Sequence, residues 1–106
     1  MMGGSMQRLQ LTMRNESGLH ARPASIFVKR ANDFQADIRI RNLTTDSDAV
    51  NGKSILSVLS LGVEQGHEVI LSVEGPDEVE ALKGLAETLQ VGVAEADQID
   101  VSDFPQ

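Results

Sequence analysis

An α+β fold is predicted, in the element order βαββαβα, with one face of a sheet covered by three helices. Three observations predict it. Four short stretches alternate apolar and polar residues with the period of a half-buried strand. Three others repeat apolar residues at i, i+3 and i+4, and polar or glycine-bearing turns separate the two kinds. A sheet that alternates in this way has one buried face, which helices of matching stripe can cover. At 106 residues the chain is one domain, with room for a two-layered core and not for a deep internal cleft.

Met1-Met2-Gly3-Gly4-Ser5 reads as a start codon plus an expression scar, ahead of a domain assigned to residues 6–90. Residues 7–14 place Leu9, Leu11 and Met13 on one face of a first strand, and Asn15-Glu16-Ser17-Gly18 is a loop by composition. Pro23 is compatible with a helix only in its first turn, so a helix begins within a residue or two of Ala21, with His20 at its N-cap. Ala24, Phe27, Val28 and Ala31 form its apolar face. Residues 36–41 are a second strand with Ile38 and Ile40 facing the core, residues 42–48 a polar turn, and a short third strand follows near Ala49 and Val50.

Asn51-Gly52 favours a hairpin. The apolar repeat of Ile55, Val58 and Leu59 behind the N-cap residue Ser54 overrides it, and predicts a short helix ending near Gly62. Residues 67–73 are the fourth strand, with Val69, Leu71 and Val73 inward. His67 reads as an ordinary surface histidine, since no ligand cluster surrounds it. Gly75-Pro76 starts the last helix, with Asp77 and Glu78 in its first turn and Val79, Leu82, Leu85, Ala86 and Leu89 as its buried stripe. After Gln90 the periodicity fades, and residues 91–106 are read as a mobile acidic tail.

The net charge of −7 hides an asymmetry. Residues 1–41 hold seven bases against three acids, whereas residues 42–106 hold two bases against thirteen acids. The first helix is a basic island on an acidic protein, suited to an acidic partner surface or a phosphoryl donor, while the acidic remainder would repel nucleic acid. Lys29 and Arg30 also fit a plain solvated helix face. With no cysteine, tyrosine or tryptophan, disulfides, cysteine-based metal sites and a base-stacking surface are excluded. No apolar run reaches the length of a membrane span and no signal-peptide pattern opens the chain, so a soluble, cytoplasmic protein is expected; a monomer is expected as well.

Gly18-Leu19-His20-Ala21-Arg22-Pro23-Ala24 carries the chemistry. The first amides of the helix, at Ala21 and Arg22, have no intrahelical acceptors, and with the positive end of the helix dipole they suit an anion. The Arg22 guanidinium stands beside them. An imidazole, free amides and an arginine at one helix start suit a phosphoryl group carried on a ring nitrogen. Taken alone, a histidine before Arg-Pro is more often a capping or surface residue. No carboxylate adjoins it in sequence.

The run Ser17-Gly18-Leu19-His20-Ala21-Arg22-Pro23-Ala24 closely resembles the phosphorylation-site signature of HPr, the histidine phosphocarrier family of the bacterial phosphotransferase system. Val50-Asn51-Gly52-Lys53-Ser54-Ile55, followed by Leu59-Ser60-Leu61-Gly62, resembles that family's regulatory-serine region. The resemblance covers roughly residues 7 to 90. It implies an open-faced sandwich, a four-stranded antiparallel sheet under three helices. It also implies that His20 is phosphorylated on Nδ1 by Enzyme I charged from phosphoenolpyruvate, with Arg22 and the amides of Ala21 and Arg22 holding the phosphoryl oxygens. The group then passes to Enzyme IIA or IIB components, and no metal or cofactor is called for.

Ile55, Leu56 and Leu59 crowd more apolar surface onto the short helix than its inner face can use. The resemblance implies a docking patch there, rimmed by Ser25, Lys29 and Lys53. It further implies that Ser54, already explained as an N-cap, is a site for a serine kinase/phosphorylase whose product can bind a transcriptional regulator. The turn over residues 42–48 is longer than in close relatives and Gly52 replaces a larger residue. Both leave the sugar-transport, nitrogen-related and dihydroxyacetone-kinase branches open. Two other classes compete: a small-molecule-binding regulatory module, which no pocket-like motif supports, and a purely regulatory relative acting through Ser54, for which His20 would be dispensable. A free-standing enzyme lacks any nucleophile-base-orienter set.

Overall fold

The computed structural model describes residues 6–97. The leading segment 1–5 and the outer part of the predicted tail, residues 98–106, lie outside the described residues. The strands are β1 (Gln7–Thr12), β2 (Asp37–Asn42), β3 (Val50–Asn51) and β4 (Glu68–Glu74), and the helices α1 (Ala21–Ala31), α2 (Ile55–Ser60), α3 (Glu78–Glu87) and α4 (Val93–Asp97). A single π-helical turn, Thr88–Gly92, joins α3 to α4.

The strands form one antiparallel sheet in the order β1-β4-β2-β3. Its register lines up Leu9, Leu71, Ile40 and Val50 across all four strands. This row faces the helices because the pleat sends alternate side chains to one side. Phe27 of α1, Met13, Leu19, Val58 and Leu85 close the core over it, all fully buried. Truncating Phe27 to alanine would cost about 3–5 kcal/mol by transfer and cavity terms.

Asn51-Gly52 leads from β3 straight into α2 and not into a further strand. Gly52 is buried and its N–H donates to the Ile38 carbonyl at 2.8 Å. A Cβ there would lie 2.8 Å from Ile38 Cγ2, so the missing larger residue has no room in this chain.

Two expectations change. Val79 is 51 % exposed, whereas Leu85 and Leu89 are buried and Leu82 and Ala86 pack partly against the core as expected, with Glu78 and Ala81 buried beside them. The reason is phase: Glu78 turns inward, where its carboxylate accepts the Gly75 N–H at 3.0 Å and the Gln7 side-chain amide at 3.2 Å. That leaves Val79 about 100° away on the wet side.

The domain boundary drawn at Gln90 also falls inside a continuous helical run. The π turn inserts one residue into the helical phase, and Val93 and Ala96 pack inward as α4 lies against α1. The tail expected from residue 91 is therefore helical as far as Asp97.

Candidate functional site

His20 is the N-cap of α1, with extended backbone (φ −120°, ψ 158°) and no side-chain capping bond. Ala21 follows at φ +50°, a left-handed conformation that costs an alanine about 1 kcal/mol. The first turn of α1 holds no acidic residue and its last turn holds Lys29 and Arg30. The helix dipole is thus complemented at its C-terminal end and open to an anion at the other. Arg22 is exposed and makes no ion pair among the described residues.

A carboxylate does meet the histidine, from a loop 44 residues along the chain. His20 Nε2 lies 3.0 Å from Glu64 Oε2, with the two side chains 39 % and 64 % exposed. A pair this wet contributes about 0.2–1 kcal/mol to stability. Nδ1 makes no hydrogen bond among the described residues.

The two loops are clamped together. The Leu19 N–H donates to the Val63 carbonyl at 3.0 Å. Gly18 sits at φ +59°, where a Cβ would come 2.2 Å from the same oxygen. Asn15 is buried, its amide donating to the Gly18 carbonyl at 2.9 Å and to Asp97 Oδ2 at 2.8 Å. Ser17 N–H donates to that carboxylate at 2.9 Å.

His67 departs from the surface role expected of it. It is half-buried, and its Nδ1 receives both the Glu64 N–H and the Asn42 side-chain amide at 3.1 Å. Neither Glu64 nor His67 announces this in sequence. Only Glu64-Gln65-Gly66-His67, a polar turn opening a strand, hints at a fixed loop.

α2 runs back along α1. Asn32, which caps the end of α1, donates its side-chain amide to the Lys53 carbonyl at 3.1 Å, while the end of α2 leads to Val63 and so to His20. Ser54 caps α2, its Oγ accepting the Ser57 N–H at 3.3 Å. It therefore stands by the end of α1 that Asn32 caps, the end opposite His20. Leu56 is 77 % exposed and Ile55 and Leu59 are 37 % and 36 % exposed, whereas Val58 is buried. Ser25 and Lys29 are exposed on α1. Lys53 is half-buried, with its Nζ donating to the Phe34 carbonyl at 2.7 Å, so it is tied into the fold more than it is free to meet a partner.

A cavity of about 440 Å³ lies on the bare face of the sheet, between Arg8, Arg41, Ser47 and Ser72, away from His20. Among the described residues no helix is long and apolar enough to cross a membrane.

The fold is a sheet covered on one face, with an imidazole at a helix start and next to it in sequence an exposed arginine that makes no ion pair among the described residues, an arrangement that suits an anion at the surface. The family model for the PTS HPr component phosphorylation site matches residues 7–91, and the chain belongs to the HPr family. Solved structures agree. HPr-C-His from Thermoanaerobacter tengcongensis superposes with a TM-score of 0.74 at 43 % identity, over 78 % of this chain and 90 % of the other. The phosphocarrier protein HPr of Bacillus anthracis gives 0.76 at 40 % identity, over 81 % and 99 %. The multiphosphoryl transfer protein of Vibrio cholerae is 40 % identical over 83 residues, 78 % of this chain. The chain spans about a fifth (21 %) of that relative's length.

Proposed function

We propose that this protein accepts a phosphoryl group on Nδ1 of His20 from Enzyme I charged by phosphoenolpyruvate, and donates it to a histidine or cysteine of an Enzyme IIA or IIB component. It is a covalent intermediate in transfer and not a free-standing enzyme, and it works in the cytoplasm. The observation that carries this reading is the ring itself: Nε2 is engaged by Glu64 while Nδ1 makes no hydrogen bond among the described residues. The amides of Ala21 and Arg22 and the Arg22 guanidinium, which makes no ion pair among the described residues, would supply the hydrogen bonds a phosphoryl group needs. The exposed arginine and surface site favour release as much as capture, which transfer in both directions requires. The resemblance to a multiphosphoryl transfer protein supports the same chemistry.

Regulation at Ser54 belongs to the same proposal. A serine kinase/phosphorylase would place a dianionic group beside Ile55 and Leu56, weakening partner docking without touching His20, and the modified surface would suit a transcriptional regulator. The test is the intact mass of the protein after incubation with phosphoenolpyruvate and a bacterial Enzyme I, compared with His20→Ala. A phosphate-sized gain that mild acid removes, and that the variant lacks, is the expected result. No gain from a donor that charges another carrier overturns the reading.

A further inference from the structure

We propose that Glu64 is a positioning residue for His20, held in place by His67 and Asn42. The inference rests on the phosphocarrier reading for its chemistry, but its geometry stands independently. Glu64 Oε2 can meet His20 Nε2 at 3.0 Å only as an acceptor, so the carboxylate holds the proton on Nε2 and leaves the lone pair on Nδ1. The hydrogen bond at one ring nitrogen sets the tautomer, and so the nucleophile, at the other.

The carboxylate reaches that position because its loop is pinned from three sides. Asn42 lies on the buried face of the sheet, in the row of Val69 and Leu11, where a polar side chain must find partners. Its amide donates to the Leu61 carbonyl and to His67 Nδ1, each at 3.1 Å, and its Oδ1 accepts the Thr45 N–H at 3.4 Å. His67 Nδ1 in turn takes the Glu64 N–H at 3.1 Å, and the His67 N–H returns to the Glu64 carbonyl at 3.0 Å. Gly66 N–H donates to the Met13 carbonyl at 2.7 Å, and Val63 is clamped to Leu19. Two donors converge on one lone pair of His67, which fixes that ring as the tautomer with its proton on Nε2.

The Nδ1 lone pair forms the N–P bond, while the bond from phosphorus to the donor's leaving atom breaks with its electron pair kept by the donor. Nε2 keeps its proton, so the ring gains a positive charge, and that charge faces the Glu64 carboxylate. The pair is stronger after transfer than before, which stabilises the carrier state as well as orienting it.

The test uses the full chain labelled with ¹⁵N-histidine. In the wild type, with the ring neutral, Nε2 of His20 should resonate as a protonated nitrogen and Nδ1 as a lone-pair nitrogen. In Glu64→Ala the two signals should move together toward those of free histidine, and the rate of charging should fall about tenfold, the lower range for carboxylates that orient an imidazole. Glu64→Gln, which keeps an acceptor without the charge, should retain the tautomer signature but not the full rate. His67→Phe should reproduce the Glu64→Ala spectrum at His20, whereas His67→Asn, whose Oδ1 can stand where Nδ1 stood, should keep the wild-type one. Unchanged His20 signals and charging rate in a folded Glu64→Ala protein overturn the proposal while leaving the phosphocarrier reading intact. A wild type that is never charged overturns the phosphocarrier reading, while the spectra still decide whether Glu64 sets the tautomer.

Discussion

The carboxylate of Asp97 holds the backbone N–H of Ser17, 80 residues earlier, at 2.9 Å, and the buried amide of Asn15 at 2.8 Å. The last described turn of the chain thereby fixes the loop that delivers His20 to the start of α1. Hydrogen bonds to a charged acceptor contribute about 1.5–3 kcal/mol where they are shielded. Asp97→Ala should lower the urea unfolding free energy by about that amount and speed exchange of the Ser17 amide. Glu95→Ala, exposed on the same short helix, should change stability by less than about 0.5 kcal/mol. Equal, small effects of the two substitutions would show that α4 does not brace the loop.

Two carboxylates should make the fold acid-sensitive. Hydrogen bonding from the Gln35 N–H, helped by Ala36 N–H and the Lys53 charge and opposed by partial burial, holds Asp77 below its ordinary pKa. For Asp97, burial pushes upward, but the bonds from Ser17 and Asn15 outweigh it and its pKa too is lowered. A carboxyl group depressed in the folded state binds fewer protons there than when unfolded. Its contribution is complete above the unfolded pKa of about 4 and is lost as pH falls through the folded value. Stability measured by denaturant should therefore fall from about pH 4 downward, and Asp77→Asn with Asp97→Asn should flatten that fall. A double variant with the wild-type slope would exclude both groups as its source.

Gly18→Ala should be among the most damaging single changes near the site. The position combines φ +59° with a would-be Cβ 2.2 Å from the Val63 carbonyl, so the substitution adds backbone strain and forces the two loops apart. A loss of more than about 2 kcal/mol follows from strain and the weakened Leu19–Val63 bond together. The same separation should draw Glu64 away from His20, so the ¹⁵N spectrum of His20 should change even in the folded fraction. A stable Gly18→Ala protein with a wild-type spectrum would refute the clamp.

The elements that could be read from the chain are those that local patterns dictate. Alternation placed the inward rows of β2 and β4, Pro23 dated the start of α1, and Ser54 capped α2. His20 and Arg22 stood out because neighbouring residues alone define a helix start that suits an anion. What could not be read depends on contacts between distant segments. Glu64 reaches His20 across 44 residues, and Asn15 reaches Asp97 across 82; no periodicity encodes either meeting. His67 looked like a surface residue because its partner Asn42 is a polar side chain on an apolar row, made tolerable only by the bonds that His67 and Leu61 complete. Only Val79 left the stripe expected of α3, because Glu78, a charged residue, takes the inward position to satisfy the Gly75 amide. Past Gln90 the π turn shifts the phase, so Val93 and Ala96 fit no stripe continued from Leu85.

Neighbours on one short helix should separate docking from folding. Leu56 is 77 % exposed while Val58 is fully buried, so the two apolar side chains answer different questions. Leu56→Ser removes little that the fold uses and should shift stability by less than about 0.5 kcal/mol. If this surface meets the donor and acceptors, the same change should slow phosphoryl transfer by about fivefold or more, the loss expected when a central apolar contact is truncated. Val58→Ala should do the reverse, costing about 1–3 kcal/mol through lost burial and the cavity it leaves, with transfer by the folded fraction preserved. Stopped-flow transfer to a purified Enzyme IIA, normalised to folded protein, distinguishes them. Wild-type transfer by Leu56→Ser would move the docking surface off α2, and with it the route by which a phosphate on Ser54 could interfere.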